Sequence, residues 1–109
     1  MDLHKQDFNT ISKDVRPYNN FIVDVINDHC LRMAVMQGEY RWHYHKHTDE
    51  LFIVLEGELK IEIKDCDTVF LQPGEFIKIP AQTIHKTSAA TRTVNLTFET
   101  NADDTVFTD

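Results

Sequence analysis

Hydrophobic and polar residues alternate with a period of two along most of the chain. Leu59, Ile61 and Ile63 alternate with Lys60, Glu62 and Lys64, and Val94, Leu96 and Phe98 alternate with Thr93, Asn95 and Thr97. Successive side chains of a β-strand point to opposite faces, so this pattern predicts strands rather than helices. Further strand-like runs cover Phe21–Ile26, Leu31–Gln37, Glu50–Leu55, Thr68–Leu71 and Phe76–Ile79. Turn-forming residues separate them: Asn27-Asp28, Glu56-Gly57, Asp65-Cys66-Asp67 and Gln72-Pro73-Gly74. No stretch keeps a helical period for three turns, and a short helix or extended arm is expected only within residues 1–16. Many short strands joined by tight turns predict an all-β sandwich or barrel.

Glu50–Leu55 departs from simple alternation, because both its faces are apolar after Glu50. Such a strand must be covered on both sides. The barrel interior can supply one cover, and a second sheet, the N-terminal arm or a partner subunit the other. Leu51, Ile53 and Leu55, with Trp42 and Tyr44 on the same side, would otherwise form an exposed apolar patch. A homodimer burying that surface is therefore expected. For the last strand, either Val94, Leu96 and Phe98 or Asn95 and Thr97 can face inward; the pattern alone leaves both open.

The 109 residues hold no internal repeat, low-complexity segment or linker, so residues 1–109 are read as a single domain. Leu51–Leu55 is the longest apolar run, far short of the ~20 residues that span a bilayer. The first residues show no secretory pattern, and a cytoplasmic location is expected. A net charge of −7 without a basic run argues against nucleic acid as a partner. Asp103, Asp104 and Asp109 read as a solvated tail. Cys30 and Cys66, in no CxxC arrangement, read as reduced thiols, the first in the core and the second at a hairpin tip.

The chain has six histidines, and His43, His45 and His47 occupy alternate positions. An extended backbone would project all three imidazoles from one face, where ring nitrogens in a β core need partners. Metal coordination supplies such a need. Glu50 follows a bend at Thr48-Asp49, and His85 follows the Pro73-Gly74 turn and Pro80. Imidazoles with a carboxylate suit iron, manganese, nickel, cobalt, copper or zinc. By strand parity, Arg41 lies on the face of His43 and His45 and can meet an anionic ligand at a barrel mouth. Phe52 and Val54 share parity with Glu50 and should form apolar pocket walls, and Thr87 shares parity with His85. His47 joins the others only if the strand runs straight past the bend, so it is read as a bystander.

Gly38-x4-His43-x-His45-x4-Glu50-x6-Gly57 resembles the first conserved motif of the cupin superfamily, and Gly74-x5-Pro80-x4-His85 the second. The resemblance, to small cupins of the mannose-6-phosphate isomerase-like kind, spans Gly38 to about Ala89. It implies a double-stranded β-helix, or jelly-roll barrel, holding one divalent metal ion through His43, His45, Glu50 and His85. Open coordination positions would face a pocket for an oxygen-rich small molecule, such as a hydroxy acid, keto acid or sugar. Three positions depart from the family pattern: Gly38 stands one residue closer to the histidines, Gln82 replaces a glycine and Ala89 an asparagine. None is a ligand in the family, and Gln82 is expected to alter the turn before His85. The resemblance implies a metal-dependent isomerase, epimerase or lyase on a small carbohydrate or carboxylate. The alternatives are an iron-dependent dioxygenase and a non-catalytic small-molecule sensor. No acid–base residue outside the ligand set is evident.

Overall fold

The computed structural model describes residues 1–109. A single helical turn, α1 (Phe8–Ser12), opens the chain, and the Asp7 carboxylate caps it by accepting from the Asn9 and Thr10 amides. Strands follow in the order β1 (Asn19–Ile26), β2 (His29–Glu39), β3 (His43–His45), β4 (Glu50–Glu56) and β5 (Leu59–Ile63). Then come β6 (Val69–Leu71), β7 (Phe76–Ile79), β8 (His85–Thr100) and β9 (Thr105–Phe107). All pairings are antiparallel, in one curled sheet. The molecule is thus the all-β barrel that the alternation predicts.

The long strand β8 organises the barrel. It pairs with β2, β3, β4 and β5, so residues from several strands meet around it. Asn95 lies between Ala34 and Val54, and Thr97 between Arg32 and Phe52. Asn95 and Thr97 line the barrel interior. The opposite face of β8 carries Val94 and Leu96, which form a second core with Met33 and Val35. Ile11, Val15, Phe21, Val23, Ile53 and Leu55 pack against that core. The second apolar face of β4 is therefore covered by the N-terminal arm and β1. The arm is one of the covers that the sequence left open. Arg92 secures the arm, donating from Nη2 to the Ser12 and Val15 carbonyls. Inside the barrel, Val54, Leu59, Ile61 and Ile79 form the closed end with Met36, Phe52, Leu71 and Ala89.

Two local features fix the turns. Gly57 has φ +83, and a Cβ there would fall 2.4 Å from Thr93 Oγ1 and 2.7 Å from the Arg92 carbonyl. Only glycine fits where the β4–β5 turn rests on β8. The second is at the other end of the barrel, where the chain's final segment pairs with β3 as His43↔Phe107, Tyr44↔Val106 and His45↔Thr105. The acidic C-terminus is thus a docked strand, contrary to its reading as a solvated tail. The hydrogen bonds that this short edge strand makes outweigh the polarity of its flanks.

Candidate metal centre

His43 and His45 come from β3, Glu50 from the start of β4 and His85 from the start of β8. One donor atom from each lies within 4.8 Å of the others, and all four side chains are buried. His45 Nε2 is 3.3 Å and His85 Nε2 3.5 Å from Glu50 Oε1. These three atoms are sealed from solvent without a hydrogen-bond partner. Buried polar atoms left in this way are costly unless something else binds them. Three imidazoles and one carboxylate whose lone pairs converge without protein partners can hold a metal ion.

The imidazoles are oriented from behind. His43 Nδ1 donates to the Arg41 carbonyl and His85 Nδ1 to the Thr83 carbonyl, each at 2.8 Å. His45 Nδ1 donates to Asp104 Oδ1 at 3.1 Å, with Thr105 Oγ1 also close at 3.3 Å. Carbonyls and carboxylates only accept, so each ring in its neutral form carries its proton on Nδ1 and leaves Nε2 free. Asp104 also accepts the backbone N–H groups of His47 and Thr48. Burial raises the Asp104 carboxyl, but these bonds and His45 outweigh it and hold its pKa at about 2. Burial pushes the His43 pKa down, favouring the neutral ring. Burial acts the same way on His45, yet Glu50 and Asp104 overcome it and raise its pKa to about 9. For Glu50, burial is outweighed by His45 and His85, and its pKa falls to about 2.

His43, His45 and Glu50 line a cavity of about 500 Å³, a volume suited to one small molecule, and His85 lies fully buried behind them. Phe52 and Thr87 stand on its wall. Val54 is fully buried one layer deeper, in the closed end of the barrel. Arg41 is outside the cavity: it is exposed, bonded to Asp109 and stacked 4.0 Å over the Phe107 ring. His47 is exposed and stands apart from the four donors. Gln82 adopts a left-handed φ of +66, where glycine is usual, and its N–H donates to the His45 carbonyl. It braces β3 and does not enter the cavity.

Sequence reasoning missed three residues: Arg32 and Glu99 line the cavity, and Asp104 holds His45. Of the two faces left open for the last strand, the one carrying Asn95 and Thr97 lines the cavity. For Glu99 a signal existed: with Asn95 and Thr97 it forms a polar row at alternate positions, opposite Val94, Leu96 and Phe98. Glu99 is the most consequential of the three. Leu51 pairs with Phe98, so Glu50 and Glu99 are next in line on adjacent strands. Glu99 is 9% exposed; burial and the Glu50 charge both push its pKa upward.

An antiparallel barrel with this donor set is the architecture of a cupin. The cupin domain model matches residues 31–98, and the chain belongs to that family. It is 46% identical over 102 residues to the uncharacterized protein YdbB of Bacillus subtilis (strain 168), covering 93% of this chain and 90% of that one. Among solved structures, a cupin-2 domain containing protein from Shewanella frigidimarina superposes with a TM-score of 0.83. That protein is 31% identical, and the match covers 88% of this chain and 94% of its own. Hydroquinone 1,2-dioxygenase PnpCD, solved with Cd2+ and 4-hydroxybenzonitrile, superposes with a TM-score of 0.74 over 87% of this chain and 71% of its own. At 20% identity it shares the fold alone. Glu99 and Asp104 lie beyond the span matched by the family model.

Proposed function

We propose that the protein is a metal-dependent enzyme that moves a proton on a small carbohydrate or carboxylate, as an isomerase, epimerase or lyase. The observation that carries this reading is Glu99, a second buried carboxyl on the wall of the cavity lined by His43, His45 and Glu50, three of the four clustered donors. A divalent iron, manganese, nickel, cobalt, copper or zinc ion held by those four residues would act as a Lewis acid, polarising a substrate oxygen and acidifying the neighbouring carbon. Glu99 is the group that takes up and returns the proton. Thr97 Oγ1 donates to Glu99 Oε1 at 3.3 Å, and Arg32 Nε stands 3.8 Å from the same oxygen, so the carboxyl is oriented. An upward-shifted carboxyl is the better base near neutral pH. Phe52 offers an apolar wall to the substrate's carbons, and Thr87 a hydroxyl.

Deuterium exchange tests this reading. Metal-loaded protein is incubated in D2O with hydroxy acids, keto acids and sugar phosphates, and carbon-bound protons are followed by NMR. Exchange beside the chelating oxygen is expected for at least one acid or sugar. Glu99→Gln should slow it by roughly 100-fold or more while metal content stays at one equivalent. Exchange unaffected by Glu99→Gln would overturn the assignment. Iron in the protein as purified, with substrate-dependent oxygen uptake, would support the dioxygenase reading instead. Tight binding without turnover would support a sensor.

A further inference from the structure

The cavity carries a second polar group beside the candidate metal donors. Asn95, Thr97 and Glu99 stand at alternate positions of β8, and Arg32 is paired with Thr97 from β2. Asn95 is 2% exposed, and its Oδ1 has no hydrogen-bond partner. Its neighbours on the flanking strands, Ala34 and Val54, have no side-chain polar atoms. An amide buried in this way costs free energy unless a ligand bonds it.

The chemistry of that ligand follows from what the wall lacks. A ketone or an alkyl chain leaves the amide oxygen orphaned, because neither can donate. A hydroxyl donates and accepts, so it satisfies whichever end of the amide is turned toward it. The ligand's charge follows from the groups around it. A divalent ion beside the Glu50 carboxylate leaves an excess positive charge at the donors, whereas the Arg32 guanidinium is offset by the Glu99 carboxyl 3.8 Å away. An anion is therefore favoured over a neutral sugar.

We infer that this wall is a subsite for the hydroxyl-bearing chain of a polyhydroxy carboxylate. The acid's carboxylate and adjacent oxygen are directed to the metal donors, and hydroxyls further along the carbon chain bond Asn95 and Arg32. The inference rests on the metal-centred reading of the cavity and narrows its substrate class to acids rich in hydroxyls, as against keto acids.

Two acids with the same chelating head separate these classes: gluconate, and 2-hydroxyhexanoate, which lacks the further hydroxyls. Protein is loaded with zinc, its metal content is measured before and after, and each acid is titrated calorimetrically. Gluconate should bind at least about tenfold more tightly. Asn95→Leu should bring the two acids within about twofold of each other and leave 2-hydroxyhexanoate binding unchanged. Melting temperature reports whether the variant is folded; if it is not, Thr97→Val and the wild-type comparison still decide. Equal affinity for the two acids, tighter 2-hydroxyhexanoate, binding of neither, or a gap that survives Asn95→Leu would each overturn the inference. Failure to take up zinc would appear in the first measurement and would strike down the metal reading, and this inference with it. One equivalent of zinc with no preference for gluconate would overturn the inference alone.

Discussion

Asp104 holds His45 through a charged acceptor, whereas His43 and His85 are held by neutral carbonyls. A carboxylate behind a metal-ligating imidazole fixes its orientation and raises its basicity. Asp104→Asn should therefore weaken metal binding by roughly 10–100-fold. His45→Ala and His85→Ala, which each remove a whole donor, should cost more. His47→Ala should stay within a few-fold of the wild type, because only the backbone of His47 engages Asp104. Competition against a chromophoric chelator ranks the four variants, and a His47 effect equal to that of His45 would overturn the ligand set. The same contacts set a pH dependence. With its pKa held at about 9, His45 must shed a proton to accept a metal, so affinity should rise with pH from neutrality to about 9. The sign for stability is opposite. A raised histidine pKa stabilises the fold fully below its unfolded value of about 6.5, and this contribution is lost as pH climbs toward 9. Asp104, with its pKa lowered to about 2, contributes above its unfolded value of about 4 and loses that contribution as pH falls. Calorimetric metal titrations from about pH 6 to 9, and melting curves without metal, check the two trends.

Among the elements, the turn at Gly57 and that at Gly74 offer a controlled comparison. Both glycines have positive φ, at +83 and +88, but a Cβ at Gly57 would strike Thr93 and Arg92, while nothing lies within 4 Å at Gly74. Gly74→Ala should cost roughly 1–2 kcal/mol of backbone strain. Gly57→Ala adds overpacking and should cost roughly 3–5 kcal/mol. Urea denaturation of both variants measures the gap, and equal losses would mean that the β4–β5 turn yields freely. These turns, strand β5 and the Thr93–Phe98 part of β8 are legible in the sequence because period-two alternation bounded by turn residues has few other solutions, and β4 because a short apolar run between turns reads as a buried strand. Two elements escape this reading. β3 and β9 are three residues each, too short to show a period, and β9 is flanked by acids. The inward face of β8 is hidden for another reason: the N-terminal arm buries its apolar face, so both faces are buried and hydrophobicity cannot tell them apart. Of the four candidate metal donors, His43, His45 and Glu50 are legible because their spacing is local, and the distant His85 because with Gly74 and Pro80 it resembles a known motif. Glu99 and Asp104 depend on strand register and on a docked C-terminus.

At the scale of the whole molecule, the cover that the arm gives to β4 moves the expected subunit contact elsewhere. Ile53 and Leu55 already pack into the second core, so they cannot be the centre of an open interface. The sheet nevertheless has a free edge at β1, which pairs only with β2. That edge carries Ile22, Val25 and Ile26 at 41%, 48% and 55% exposure. An apolar edge strand left in water is a template for pairing with another chain, and proteins normally blunt such an edge or cover it. No Lys or Pro interrupts β1 from Asn19 to Ile26, and Asp24 is its only charge. We propose a homodimer in which a second copy covers this strand. Sedimentation should give a dimer at micromolar concentration, and a wild-type monomer there would refute the proposal. Val25→Glu combined with Ile26→Glu should yield a monomer that still takes up one metal ion, because neither residue lines the cavity. A dimer that survives both substitutions would move the contact to the other exposed aromatic surface, at Phe70 and Phe76, which are 54% and 66% exposed. Loss of metal together with the dimer would mean instead that β1 supports the barrel mouth from within, through Asn20 and its bond from Arg32.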